Sequence, residues 1–252
     1  MLRKRVIPCL LLKNSGLVKG KEYRNHKYVG DPINTIKIFN AKEVDEIIVL
    51  DITATKEKKG PNFSLIEEFS SECFMPLCYG GGIRTIQQAR TLFSLGVEKV
   101  CLQSSVYSDL KLIKEIANEY GSQSVVVSID IKKNWLKKES LYNASSGQIL
   151  RKSYMDLIKE CIEAGAGEIM IGSVNHEGNM RGMNLNLISK VSNFSTVPVI
   201  ASCGVGEMND IKLASEAGAN AVAVGSFFIY HGPHRAVLIT FPTNEELNKL
   251  LR

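Results

Sequence analysis

The 252 residues contain no apolar run long enough to cross a membrane. No C-x-x-C pair occurs among the six cysteines, Cys9, Cys73, Cys78, Cys101, Cys161 and Cys203. Most of them sit in apolar strand or helix patterns, so they read as reduced core thiols of a cytoplasmic protein. Histidine is scarce. His231 and His234 have no third ligand at metal-binding spacing, so neither a metal nor another cofactor is expected. Strong charge of one sign is missing too: the net charge of +5 is spread along the chain, which argues against a nucleic-acid or membrane surface and leaves room for an anionic small substrate. The amino terminus has a basic start and a short apolar run but no small-residue cleavage site, so it reads as a first strand rather than a signal peptide.

What is present is a regular alternation of short apolar runs with amphipathic stretches, the pattern of repeated βα units. With 44% hydrophobic and 23% charged residues, the chain suits one barrel-sized domain or two small ones. Strands are expected near 5–11, 46–52, 77–80, 99–102, 125–131, 168–172, 198–202 and 221–225. Helices are expected to start at Pro32, Phe63, Thr85 and Asp109, near Ser153, and at Asn186 and Asn209. Residues 132–152 are too long for a plain connection and predict a small hairpin turning at Ser145-Ser146-Gly147. The chain also repeats itself. Residues 75–106 align without a gap on 197–228, pairing Pro76 with Pro198, Gly82 with Gly204, Gly96 with Gly218 and Ser104 with Ser226. At the same offset Glu46-Ile47 falls on Glu168-Ile169. The expected fold is therefore α/β, a single (βα)8 TIM barrel built from two half-barrel repeats, about 1–122 and 123–252.

In such a barrel the chemistry gathers at the carboxyl ends of the strands. Val125-Val126-Val127-Ser128-Ile129-Asp130 is a buried strand ending in a carboxylate, and Asp130 is a candidate general acid or base, or else a turn cap. Gly80-Gly81-Gly82 follows the third strand and opens a helix, and Ser202-Cys203-Gly204 does the same after the seventh. Gln103-Ser104 and Gly225-Ser226 follow the fourth and eighth strands beside them. Symmetry thus places two anion cradles, each suited to a phosphate, on opposite sides of one mouth. Lys19, in a loop of nearly twenty residues after the first strand, either clamps a phosphate or is solvated, and long barrel loops of this kind often act as lids. His231 and His234 are candidates for touching a substrate anion. His176, in the loop after the sixth strand, is either a proton carrier or, by preference, a surface residue, and Asp51 reads as a structural hydrogen-bonder.

These residues resemble the cyclase subunit of imidazole glycerol phosphate synthase, the HisF-type half-repeat barrel, over nearly the whole chain. The match rests on Lys4-Arg5-Val6-Ile7-Pro8-Cys9-Leu10, Val18-Lys19-Gly20, Gly30-Asp31-Pro32, Leu50-Asp51-Ile52-Thr53-Ala54, Gly80-Gly81-Gly82-Ile83, Gly121-Ser122-Gln123 and Pro198-Val199-Ile200-Ala201-Ser202. The resemblance implies a glutaminase partner on the amino-terminal face, ammonia delivered along the barrel axis, and a substrate carrying two phosphates. It implies a charged ammonia gate of Arg5, Glu46, Lys99 and Glu168, residues that could otherwise form a salt-bridge layer closing the barrel. It also implies phosphate-binding roles for Lys19, Gly81, Gly82, Gln103, Ser104, Ser202, Gly204, Gly225 and Ser226.

The active face departs from the family pattern. Of the two catalytic aspartates, the second is kept as Asp130, but Leu11 stands where the first belongs, and leucine moves no proton. Losing one partner of an acid/base pair costs about 10²- to 10⁴-fold. Gly172-Ser173-Val174-Asn175-His176-Glu177-Gly178 replaces an Asp-x-Asp-Gly run, Cys203 replaces a glycine, and the segment from His231 takes the place of the last helix. The expectation is a divergent paralogue supplying ammonia for amidino-sugar formation in surface polysaccharide, with a separate sugar amidotransferase as a further partner. The alternatives are a histidine-biosynthesis cyclase, making imidazole glycerol phosphate from a phosphoribulosyl carboxamide and ammonia, and a non-catalytic ammonia conduit.

Overall fold

The computed structural model describes residues 4–136 and 138–251; the basic start at Met1–Arg3 lies outside them. Eight short, mostly apolar runs pair in parallel: β1 (Arg5–Lys13), β2 (Ile47–Asp51), β3 (Leu77–Gly80), β4 (Lys99–Leu102), β5 (Val125–Lys133), β6 (Glu168–Ser173), β7 (Val199–Ser202) and β8 (Ala221–Val224). Each strand pairs with the next, and β8 pairs back onto β1 through Arg5↔Ala221, which closes the barrel. With no strand edge left, alternate side chains must enter one of two separate cores. Val6, Val49, Tyr79, Val127 and Ile171 point outward under the helices. Ile7, Ile48, Cys78, Val126, Met170 and Ile200 fill the inside.

The helices between the strands are α1 (Pro32–Ala41), α2 (Phe63–Ser70), α3 (Ile86–Ser94), α4 (Lys111–Tyr120), α5 (Tyr154–Glu163), α6 (Leu185–Phe194) and α7 (Met208–Glu216). The short α8 (Ser226–Ile229) and the terminal α9 (Asn244–Leu250) follow the last strand. At the offset that carries Glu46 onto Glu168, β3 falls on β7, α3 on α7 and β4 on β8, end for end.

Three expected helix starts move by one or two residues, and the caps show why. Asp109 stands ahead of α4, its carboxylate accepting from the Lys111 amide at 2.8 Å. Asn184, not Asn186, caps α6 through the Leu187 amide. At α7, Asp210 reaches back to the amides of Gly206 and Glu207, so the helix begins before Asn209.

The larger correction concerns the segment after β1. It is a hairpin rather than a loop: Gly16–Lys21 pairs antiparallel with the end of β1 and with Arg24–Gly30. Few apolar residues alternate there, so period 2 is masked by lysines. The excursion after β5 is the expected hairpin, Glu139–Asn143 against Gln148–Ile149. The segment after β8 is also a hairpin, Tyr230–His231 with Ala236–Val237, and a helix (α9) follows it after all. No helix among the described residues is long and apolar enough to cross a membrane.

Candidate active site

The carboxyl ends of the strands surround one cavity of about 780 Å³. Asp130 lies in its wall, 4% exposed, near the end of β5. Both of its oxygens are taken. The Tyr23 hydroxyl donates to Oδ1 and Gln103 Nε2 donates to Oδ2, each at 2.7 Å. Burial pushes the Asp130 carboxyl up to about 6 despite these two donors, which favour the ionised form, and nearby Glu177 adds to the rise. The acid is thus poised near neutrality. Register places Gly172 beside it on β6. A Cβ at position 172 would sit 2.5 Å from Asp130 Oδ1 and 3.2 Å from the Tyr23 hydroxyl, so glycine makes the room that this pair occupies. Leu11 lines the same cavity.

The residues expected to bind phosphate all line this cavity: Lys19, Gly81, Gly82, Gln103, Ser104, Ser202, Gly204, Gly225 and Ser226. Gln103, however, is engaged by Asp130 rather than turned to the glycine loops. Lys19 is not solvated. It is 4% exposed, donates to the Cys9 carbonyl at 2.6 Å, and makes no ion pair among the described residues. Burial lowers its pKa. A Cβ at Gly225 would sit 2.7 Å from Lys19 Nζ, so Gly225 opens the path for this cation to the second cradle. In the first cradle Gly81 (φ +131°) and Gly82 (φ +72°) are fixed by packing: a Cβ on Gly81 would lie 2.6 Å from the Asp51 carbonyl oxygen. Their repeat mates are Cys203, held at φ +76°, and Gly204 at φ +114°. Cys203 is therefore a side chain in backbone space that favours glycine.

Asp51 has the structural role expected of it, its Oδ1 accepting from the amides of Thr53 and Ala54 and from the Thr53 hydroxyl. His176 is half-buried against Ser173, 2.8 Å from Nδ1 to the hydroxyl. His231 and His234 are exposed and do not line the mouth. No group of three or more His, Cys, Asp or Glu among the described residues is arranged to hold a metal.

Sequence reading missed Tyr23 and the role of Glu177. The hairpin after β1 folds over the mouth, where Glu177 Oε2 accepts from the Tyr23 amide at 3.0 Å and the Glu177 carbonyl accepts from the Glu22 amide at 3.1 Å. The only available signal was the aromatic at the centre of a lysine-rich stretch, which carries no period.

At the opposite end of the barrel, Arg5, Glu46, Lys99 and Glu168 form a closed ring. Arg5 reaches Glu46 at 2.5 Å and Glu168 at 2.7 Å, and Lys99 reaches Glu46 at 3.0 Å and Glu168 at 3.4 Å. Burial alone would lower the Arg5 pKa, but the two carboxylates outweigh it and raise it. The mouth cavity descends to Cys9, Cys101, Met170 and Ala223. Ile7, Ile48, Val126, Ile200 and Ala221, all fully buried and none of them in that cavity's wall, form an apolar layer between it and the ring.

A family model described as "Histidine biosynthesis protein" matches residues 5–234. A Pseudomonas aeruginosa protein, provisionally named imidazole glycerol phosphate synthase subunit hisF2, is 47% identical over 99% of both chains. A Vibrio vulnificus protein, provisionally named subunit hisF3, is 41% identical over 100% of this chain and 97% of its own. Imidazole glycerol phosphate synthase subunit HisF of Dictyoglomus thermophilum is 36% identical over 90% of each. The chain belongs to the histidine biosynthesis protein family and, within it, is of the HisF type.

Proposed function

We propose that this protein is the synthase-type subunit of an imidazole glycerol phosphate synthase-like glutamine amidotransferase, working with a glutaminase partner in the cytoplasm. The charged ring receives ammonia at the amino-terminal face, where the glutaminase docks, and the two cradles with Lys19 hold a phosphorylated small molecule at the mouth. Ammonia is uncharged, so an apolar layer is no barrier to it once side chains part, whereas ammonium would lose its hydration there. Within this reading we favour a divergent branch that supplies ammonia for amidino-sugar formation in surface polysaccharide, with a sugar amidotransferase as the acceptor partner.

One observation carries that preference. Asp130 has no partner acid from β1: Leu11 lines the mouth where another carboxylate would share its work, both Asp130 oxygens already have donors, and two further acids of the mouth, Glu177 and Asp51, are held by backbone amides. Ring closure that needs an acid and a base together has only half of that pair. Relatives with numbered names, at 47% and 41% identity, stand closer than the HisF of Dictyoglomus thermophilum at 36%, which agrees with a separate branch. The rival reading, an ordinary histidine-pathway cyclase, draws on Asp130 being retained and poised near neutrality.

Purified protein given ammonia and the phosphoribulosyl carboxamide substrate decides between them. The divergent reading expects no turnover above background and no rescue of a histidine-requiring strain that lacks its cyclase. Robust turnover, or growth of that strain, would establish the cyclase instead.

A further inference from the structure

Tyr23 sits at the tip of the hairpin formed by Gly16–Lys21 and Arg24–Gly30, and its hydroxyl holds Asp130 Oδ1 at 2.7 Å. The two donors on Asp130 come from different kinds of support. Gln103 directly follows β4, so its backbone is fixed by the closed barrel. Tyr23 rides on a hairpin that projects from β1 over the mouth, so of the two it is the one that can leave. The tip is strained: Glu22, Tyr23 and Asn25 have φ of 50°, 62° and 52°, left-handed values that cost a non-glycine residue roughly 1 kcal/mol or more each. The register also slips between Lys19 and Lys21. Against this strain stand the Asp130 contact and the bonds that the Tyr23 and Glu22 amides donate to the Glu177 carboxylate and carbonyl.

Asp130 is 4% exposed, so a ligand that meets Oδ1 from the side of the hairpin must displace Tyr23, and it must replace what Tyr23 supplies. A buried carboxylate oxygen left without a donor is costly, so a ligand offering only acceptors gains nothing from the exchange. We propose that Tyr23 is a specificity-determining latch, whose hydroxyl occupies the place that a hydroxyl or amino donor of a phosphorylated ligand takes at Asp130 Oδ1 when the hairpin tip lifts. This rests on the reading of the cradles as phosphate sites. It selects phosphorylated polyols or amino sugars over bare phosphate.

The full-length protein tests this in two variants. Tyr23→Phe keeps the ring and removes only the donor. Gly172→Ala leaves both partners intact but drives a Cβ against Asp130 Oδ1 and the Tyr23 hydroxyl. In both, hydrogen exchange of the amides at 21–25 should run about tenfold faster than in the wild type. By calorimetry, Tyr23→Phe should bind ribose 5-phosphate about tenfold more tightly, because a competing closed state has been weakened. Its affinity for inorganic phosphate should stay within about twofold. Unchanged exchange in both variants overturns the latch, and so does a ribose 5-phosphate affinity that fails to move or that moves only in step with inorganic phosphate. In those cases the phosphate reading survives if inorganic phosphate still binds. If neither ligand binds the wild type or the variants, the phosphate reading falls and the latch falls with it.

Discussion

Asp130 is the residue on which chemistry and stability meet. Its carboxyl, ordinarily near 3.8, is pushed up to about 6 by burial, so the folded chain binds this proton more tightly than the unfolded chain does. The group's stabilising contribution is complete below about pH 4 and is lost as pH rises through 6, where the folded state must hold a buried charge. A shift of about two units corresponds to roughly 3 kcal/mol. Asp130→Asn removes the charge and keeps an acceptor for Tyr23, although Gln103 must then turn its amide to face the new NH₂ group. The variant should therefore gain stability relative to wild type as pH rises, by about 2 kcal/mol more at pH 7.5 than at pH 4.5. Urea denaturation of both proteins at the two pH values measures this, and a stability difference independent of pH would refute it. The acid's position was legible in the sequence because it ends a β-branched run that carries no other charge. Its occupancy by Tyr23 was not, since one aromatic among lysines gives no clue to which residue far along the chain it will meet.

The hairpin over the mouth is an element whose position depends on its two ends. One end is the continuation of β1, and the other runs into α1, where Asp31 accepts from the Asn34 amide at 2.8 Å and Pro32 stands at the first helical position. Gly30 precedes this cap, and the Thr35 hydroxyl donates to the Asp31 carbonyl at 2.7 Å, so the return strand is tied to the start of the helix. Asp31→Ala should cost about 1 kcal/mol, the usual worth of such a cap. It should also raise exchange at 24–30 more than at the buried strands, because the loosened joint lies at the foot of the return strand. Equal exchange throughout would mean that the cap stabilises the fold without anchoring the hairpin. Helix starts of this kind were readable where the cap precedes an apolar period, as at Asn62 and Thr85, which accept from the amides three residues on. They were misread where two polar candidates lie within one turn, as with Asn184 and Asn186, because only the folded backbone decides which side chain reaches an amide.

At the scale of the whole barrel, the repeat seen in the sequence reappears as matching strand and helix ends, since a gapless offset survives folding when each half supplies the same βα units. The charged ring shows where that symmetry stops. Glu46 and Glu168 are repeat mates, but their cations are not, because Arg5 enters from β1 and Lys99 from β4. Two cations and two anions leave the floor with no net charge, which suits the passage of a neutral molecule better than that of an ion. Glu46 is 2% exposed, so an unbalanced charge there has little water to answer it. Lys99→Met leaves both carboxylates to Arg5 alone and should cost about 3 kcal/mol, as breaking a buried pair from one side does. Removing one anion as well, in Lys99→Met with Glu46→Gln, leaves Arg5 balanced by Glu168 and should recover at least half of that loss. A generic packing layer would behave in the opposite way, with the two substitutions adding their costs. Urea midpoints of the two single variants and the double variant separate these outcomes: additive losses would mean that the ring holds the barrel by shape, and recovery that it holds by charge balance.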